Sequence, residues 1–408
     1  MKIQPSLPKT MRAVQGKYFG DIDEMLSVEE NVAVPNLNEE FNELYKPTNP
    51  KLDTIHPMIK YATKIDRQSH ILIKTLAVAL APGDCRVLKG QTRNFQGPPS
   101  FPYVPGGDCC GIVVDNSMDK EGYFQIGDVV MARFTVSPRD ALGEYARVSS
   151  KVCEKVVDTS KVSPVDAAAL ASASPAVCVA DYIREGDKRV LILGGGGGIG
   201  SHVCQLAKHT KNVSYLCGTY STSGGGDEQR LKQAPLCYDD VIDYTKENVY
   251  ELKKYQSEPF DLIIDFACGG WPQLIQNSKL GMPSIVKPAS KGGRYITITS
   301  DKPTFQTKSI LVLLSMFLLK PMWRYVWSRI NPFSHHKLPT FTQVNGLPDT
   351  RDVLTQTLKL AYDGKLKAVV DGPYPMTTSG VRQAFRKLES RHPHGKVVIQ
   401  VSDLETKD

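Results

Sequence analysis

Residues 189–210 read RVLILGGGGGIGSHVCQLAKHT. Four apolar residues after Arg189 predict a buried strand, and the segment from Ser201 onward has the spacing of a helix. Between them Gly195, Gly197 and Gly200 satisfy GxGxxG. In this order the glycines allow a tight turn, let the backbone approach a pyrophosphate, and let the helix pack closely on the strand. The helix N-terminus then turns its unpaired N–H groups and positive dipole end toward the anion. A lone GxGxxG is weak, and a glycine-rich structural turn is the alternative. Its place within a strand, turn and helix makes dinucleotide binding the stronger reading.

The segments downstream support it. VSYLCGTYS (213–221), DDVIDYT (239–245), FDLIIDFACGG (260–270) and GGRYITITS (292–300) are short apolar strands separated by helix-length stretches. Such alternation predicts a doubly wound parallel sheet with helices on both faces. Upstream the pattern differs. LSVEENVAV (26–34), HILIKTLAVALA (70–81), PYVPGGDCCGIVV (102–114), GDVVMARF (127–134) and GEYARVSS (143–150) give strands and turns at close spacing, the mark of a β-barrel or sandwich. The alanine-rich run at 163–186 reads as a helix opened by Ser163 and Pro164. At the C-terminal end, 350–362 and 380–390 read as helices, and 367–376 and 395–401 as strands. Residues 35–66 are polar and proline-punctuated, a surface insertion.

Cofactor choice rests on the second strand. A site for NAD usually places Asp or Glu about 20 residues after the glycines, to accept from the ribose hydroxyls. Here none precedes Asp227, and Tyr220, Ser221, Thr222 and Ser223 can hydrogen-bond a 2′-phosphate. NADP(H) is favoured, although no Lys or Arg stands at that strand end.

Together, ALAPGDCRVLKG (79–90), FPYVPGGDCCGIVV (101–114), VDAAALASA (165–173), the glycine turn, DDVIDYTKEN (239–248), GKLKAVVDGPYPM (364–376) and HGKVVIQV (394–401) resemble the medium-chain dehydrogenase/reductase superfamily. The resemblance is to its zinc-free quinone-oxidoreductase branch and runs from about residue 11 to 401. It implies a GroES-like β domain at 11–160 and 350–408, after a tail at 1–10, and a Rossmann domain at 161–349, with the active cleft between them. Gly194, Gly195, Gly197, Gly198, Ile199 and Gly200 would hold the pyrophosphate. Tyr244 matches a tyrosine at the adenosine phosphate end, Phe266 ends a strand at the cofactor edge, and Lys396 matches a C-terminal Gly-Lys. A homodimer is also implied.

Zinc-dependent members place their ligands where this chain has Ala81, Gly107 and Ala173, none of which can ligate, so no metal is expected. Without a Lewis acid to polarise an alkoxide, an acceptor that is already electrophilic suits the site, a quinone or an α,β-unsaturated carbonyl. The proton would come from water or a nearby hydroxyl. Relatives carry Asn at Ala81 and Thr near Ala176, and Ser172 and Ser174 stand nearby as substitutes. These losses leave no catalytic residue assigned. They also motivate a second reading, a low-turnover nucleotide-binding redox sensor or membrane-associated module.

The chain has 408 residues, 41% of them hydrophobic, and a formal charge of +7. The charge is local: 302–348 holds Lys302, Lys308, Lys320, Arg324, Arg329 and Lys337 with no Asp or Glu. A nucleic-acid footprint is therefore not expected. The same insertion (302–349) carries an apolar run at 310–319, shorter than the roughly 20 residues a spanning helix needs. Helical spacing beyond it sets Trp323, Val326, Trp327 and Ile330 on one face. Three readings stay open: packing into the domain cleft or a dimer interface with the tryptophans as core, peripheral membrane contact through 310–330, and a substrate lid. His335 and His336 read as loop. Nine cysteines without a CxxC pair, and MKIQPSLPKT without an apolar core, point to a reducing intracellular compartment. Cytoplasm comes first, with mitochondrial matrix or plastid stroma compatible.

Overall fold

The computed structural model describes residues 7–37, 69–91, 101–133, 140–301, 310–331, 335–344 and 350–404. Most of the insertion expected at 35–66, and parts of 302–349, lie outside the described residues.

The apolar run 190–193 becomes the centre of a parallel sheet because helices cover both of its faces. The sheet order is Asp240–Asp243, Tyr215–Tyr220, Arg189–Leu193, Leu262–Asp265, Arg294–Thr297, Thr340–Gln343. All neighbours run parallel, Leu191 lying beside Cys217 on one side and Ile263 on the other. The chain first winds outward from Arg189–Leu193 in one direction, then returns and winds in the other. That reversal opens a crevice at the carboxyl ends of the central strands, where ligands bind in doubly wound sheets.

The GroES-like part is a seven-stranded sheet centred on His70–Ala79. This strand pairs antiparallel with Asp108–Asp115, Tyr145–Ser149 and Lys396–Gln400. Val370–Pro375 runs parallel to Lys396–Gln400, so the C-terminal segment returns to the first sheet after the Rossmann strands are complete. Thr10–Gly16 and Leu26–Ala33 form a separate hairpin.

Two local differences from the sequence reading have physical causes. The turn-prone APGD opens a helix, Pro82–Leu88, because the Asp84 carboxylate accepts from the Ala81 N–H at 2.7 Å and Pro82 fits the first helical turn. The single alanine-rich helix is two, Pro164–Ala173 and Pro175–Ala180, since Pro175 has no N–H to continue the ladder.

The insertion helix differs more. Ile310–Leu314, a π-helical turn at Ser315–Leu319 and Lys320–Ile330 are continuous. Pro321 follows the π turn directly, and its missing donor breaks the regular ladder there. The tryptophans are not a shared core. Trp327 is half-buried against the sheet, whereas Trp323 is 65% exposed. Beside Trp327 and the buried Pro321, Ser328 Oγ accepts from the Phe341 N–H at 3.0 Å, and Arg329 donates to the Phe341 carbonyl at 2.9 Å. Phe341 lies in the outermost strand of the sheet, so the helix hydrogen-bonds backbone groups that an edge strand would otherwise leave open.

Candidate active site

Between the two sheets lies a cleft of about 1120 Å³, walled by Leu80, Pro82 and Cys85 on one side, the glycine turn on the other, and 388–397 at its base. This volume exceeds that of an ordinary small-ligand pocket, roughly 300–1,000 Å³, and can hold a dinucleotide with a second molecule.

The glycine turn forms the floor. Gly194 has φ +79°, a conformation that side chains resist. A Cβ on Gly195 would stand 2.4 Å from the Tyr238 hydroxyl, and one on Gly200 2.4 Å from the Gly194 carbonyl. The turn therefore accepts no side chain at either position, and its backbone lies open to the cleft. Three buried groups fix it. Gly194 N–H donates to Thr219 Oγ1 at 2.9 Å, and the Tyr238 hydroxyl donates to the Gly195 carbonyl at 3.1 Å. His202 joins the turn to the other domain: its Nδ1–H donates to the Gly198 carbonyl at 2.7 Å while Nε2 accepts from the Val369 N–H at 3.2 Å. These partners define a neutral tautomer, and burial lowers the His202 pKa to about 4.

Cations surround the floor. Arg230, from the short helix Glu228–Lys232, donates to the carbonyls of His394 at 3.3 Å and Gly196 at 3.5 Å. Its buried Nε has no partner among the described residues. Arg86 and Arg391 also line the cleft. Arg230, seven residues beyond Ser223, is a basic group that the sequence reading missed, and it meets the glycine turn at Gly196.

Beyond the turn, Ser221, Tyr244 and Phe266, expected to meet the cofactor, line the cleft. Ser221 Oγ pairs with Ser223 Oγ at 2.8 Å and accepts from the Gly224 N–H at 3.1 Å. The Thr222 hydroxyl turns to Asp243 on the third strand. Burial opposes ionisation of Asp243, but the hydroxyls of Thr222 and Thr245 and two backbone N–H groups hold it well below the ordinary carboxylate range. The loop at 221–226 packs on the C-terminal return, where a Cβ at Gly224 would stand 2.3 Å from the His392 ring. Behind Phe266, the buried Asp265 carboxylate accepts from the N–H groups of Ala267, Cys268 and Gly270 at 2.7–3.0 Å and orders that rim.

The region around 107 and 172–176 differs in character. Ala173 and Ala176 are buried, and Gly107 offers no side chain. Lys396 projects beside Gly198, within 3.0 Å of where a Cβ there would lie, and its buried ammonium donates to Ser172 Oγ at 2.9 Å. Burial lowers its pKa to about 8, with Asp108 and Asp84 opposing that shift and Arg133 adding to it. Ser174 Oγ is buried without a partner among the described residues. Cys109 and Cys110 are wholly buried, and burial pushes both thiols up, as for packing residues. Among the described residues no three or more His, Cys, Asp or Glu side chains converge on a metal-sized site.

A GroES-like sheet and a doubly wound Rossmann sheet enclosing an open glycine cradle define a dinucleotide-dependent oxidoreductase of two domains. Comparison with known proteins agrees. Residues 67–209 match the alcohol dehydrogenase GroES-like domain, and 236–399 match a domain described as zinc-binding dehydrogenase. The NADPH-dependent alkenal/one oxidoreductase of Arabidopsis thaliana chloroplasts is 28% identical over 97% of this chain and 80% of its own length. The 2-methylene-furan-3-one reductase of Solanum lycopersicum is likewise 28% identical, over 97% and 80%. The solved quinone oxidoreductase of Coxiella burnetii shares the fold, with a TM-score of 0.65 at 21% identity over 96% of this chain and 99% of its own. The chain belongs to the medium-chain dehydrogenase/reductase superfamily, in its quinone-oxidoreductase-like branch.

Proposed function

We propose that the protein is a zinc-independent, NADPH-dependent reductase of activated enones or quinones. The observation that carries the cofactor half is the cradle: two glycine positions that a Cβ would block, opened by Tyr238 and Thr219, with Arg230 presenting an unpartnered buried Nε beside it. The alkenal/one and furanone reductase relatives supply the acceptor class. Bound reduced nicotinamide supplies a hydride to a carbon that is already electrophilic. The chain's own residues bind and orient: the turn and Arg230 hold the pyrophosphate, while Ser221, Ser223 and Tyr244 hold the adenosine end. Leu80, Pro82 and Ile298 give an apolar wall that excludes water from the reacting end. Lys396, whose side chain lies against Gly198, belongs with the cofactor-binding residues beside the turn.

The test is NADPH oxidation with a quinone and an enone, before and after treatment with a zinc chelator. Turnover unchanged by the chelator, and weaker with NADH, supports the reading. Turnover lost to the chelator overturns zinc independence. Tight NADPH binding without turnover on either acceptor overturns the reductase in favour of a sensor, for which Ala81 and Ala176 already speak.

A further inference from the structure

The order of the strands divides the cleft into two wings. The glycine turn follows the central strand Arg189–Leu193. To one side lie the ends of Tyr215–Tyr220 and Asp240–Asp243, followed by Ser221 and Tyr244. To the other lie the ends of Leu262–Asp265 and Arg294–Thr297, followed by Cys268 and Thr299. With the adenosine end of NADPH on the first wing and its pyrophosphate on the turn, the reduced nicotinamide and its ribose fall to the second. That half of the cofactor is uncharged, so it calls for no cation.

The second wing nevertheless holds two. Arg391, in the C-terminal return, donates through Nη2 to the Ala267 carbonyl at 3.3 Å and stands 3.9 Å from the Cys268 thiol, and neither group neutralises it. Arg86 is half-buried on the helix Pro82–Leu88 and reaches the cleft from the opposite wall. The Cys268 thiol feels both charges, but burial is the larger effect and raises its pKa, so it stays protonated and supplies no counter-charge. Burial also lowers the Arg86 pKa, and the charge of Arg391 adds to that lowering, as for like charges that share one space. Among the described residues that line the cleft, the acids are Glu247 and Glu389. Glu247 follows the strand Asp240–Asp243 on the first wing, and Glu389 pairs with Lys89 at 2.6 Å. The wing that receives the acceptor is therefore positive.

We propose that Arg391, with Arg86 across the cleft, forms an anion subsite beside the nicotinamide position, and that the preferred acceptor carries a carboxylate at a distance from its reacting carbon. This rests on the reductase reading above and narrows its substrate class. A guanidinium group takes both oxygens of a carboxylate in parallel N–H···O bonds. Holding the far end of the acceptor in this way orients its electrophilic carbon for reaction. The carboxylate itself takes no part in the bond changes. The apolar wall of Leu80, Pro82 and Ile298 sorts acceptors by shape, and the arginines sort them by charge.

The test compares a medium-chain α,β-unsaturated ketone ending in a carboxylate with its methyl ester, which differ in charge but not in the reacting group. Wild type should show a kcat/KM for the acid at least about tenfold above that for the ester, as a charge-assisted pair provides. Arg391→Met/Arg86→Met should abolish that preference, Arg391→Met alone should remove most of it, and Arg391→Lys, which keeps the charge without the planar fork, should restore part. Arg391 is exposed, so its variants keep the fold, which circular dichroism checks. Equal kcat/KM for acid and ester in wild type overturns the subsite and leaves the reductase reading intact. A loss of NADPH affinity in Arg391→Met as large as the loss of acid preference assigns the arginine to the cofactor and also overturns it. If neither ketone is reduced, calorimetric titration of the NADP+-loaded protein with the saturated acid and ester decides. Binding of the acid alone, lost in Arg391→Met, leaves the subsite standing and overturns only the reductase; no binding of the acid overturns both.

Discussion

The two ends of the cleft are built on opposite principles. At the glycine turn three backbone groups are held by buried side chains: the Gly194 N–H by Thr219, the Gly195 carbonyl by Tyr238 and the Gly198 carbonyl by His202. On the opposite wall Leu80, Pro82, Cys85 and Ile298 are small or apolar, with Arg86 the cation beside them. A fixed cradle suits a ligand whose pyrophosphate is the same in every turnover. A wall of small residues discriminates by volume, and one methylene there is worth only about 1–3 kcal/mol. The cofactor end should therefore be intolerant of substitution and the acceptor end permissive.

The largest effect should come from Gly200→Val, whose Cβ would meet the Gly194 carbonyl at 2.4 Å. NADPH affinity, measured by fluorescence titration on folded protein, should fall by about 100-fold or more, about 2.7 kcal/mol. A smaller loss would show that the turn relaxes more freely than its packing implies. Arg230→Met comes next. A hydrogen bond from a charged donor contributes about 1.5–3 kcal/mol, so affinity should drop by about tenfold to hundredfold. At the other end, Leu80→Val should change KM for individual acceptors less than about tenfold and leave NADPH affinity alone. If it disturbs NADPH as strongly as Arg230→Met, the contrast between the ends fails.

His202 gives the contrast a pH signature. Its folded pKa, about 4, lies below the ordinary 6.5. The unfolded chain binds the extra proton first, so this stabilisation is present above pH 6.5 and is lost as pH falls through about 4, a change of about 3 kcal/mol. Denaturant midpoints of wild type and His202→Gln should converge across that window. Parallel curves would place the acid sensitivity elsewhere. The smallest effect belongs to Trp323→Ser, which should alter unfolding free energy by no more than about 0.5 kcal/mol because the ring is exposed.

Legibility in the sequence followed the same division. The cradle is local, with strand, turn and helix adjacent in the chain, so Gly194 to Gly200 could be read directly. The alternation of strands and helices similarly displayed the doubly wound sheet. Arg230, Tyr238 and His202 act across tertiary contacts, and nothing in DEQRLK or PLCYDD marks a side chain that will reach the turn. His202 had no signal of its own, since the same helix also carries Ser201, Gln205 and Lys208. The 310–330 helix shows another limit. Periodicity revealed two faces but not which turns inward, and the deciding factor was the edge strand at Phe341, whose backbone groups needed Ser328 and Arg329 more than the core needed Trp323.

Hydrogen exchange of the full chain with and without NADPH tests the central claim, that the cleft between the two sheets is the dinucleotide site. NADPH should slow exchange at 194–200, at 221–226 and at 395–397, leaving 310–330 unchanged. Unaltered exchange across the glycine turn, with slowing elsewhere or nowhere, would contradict it.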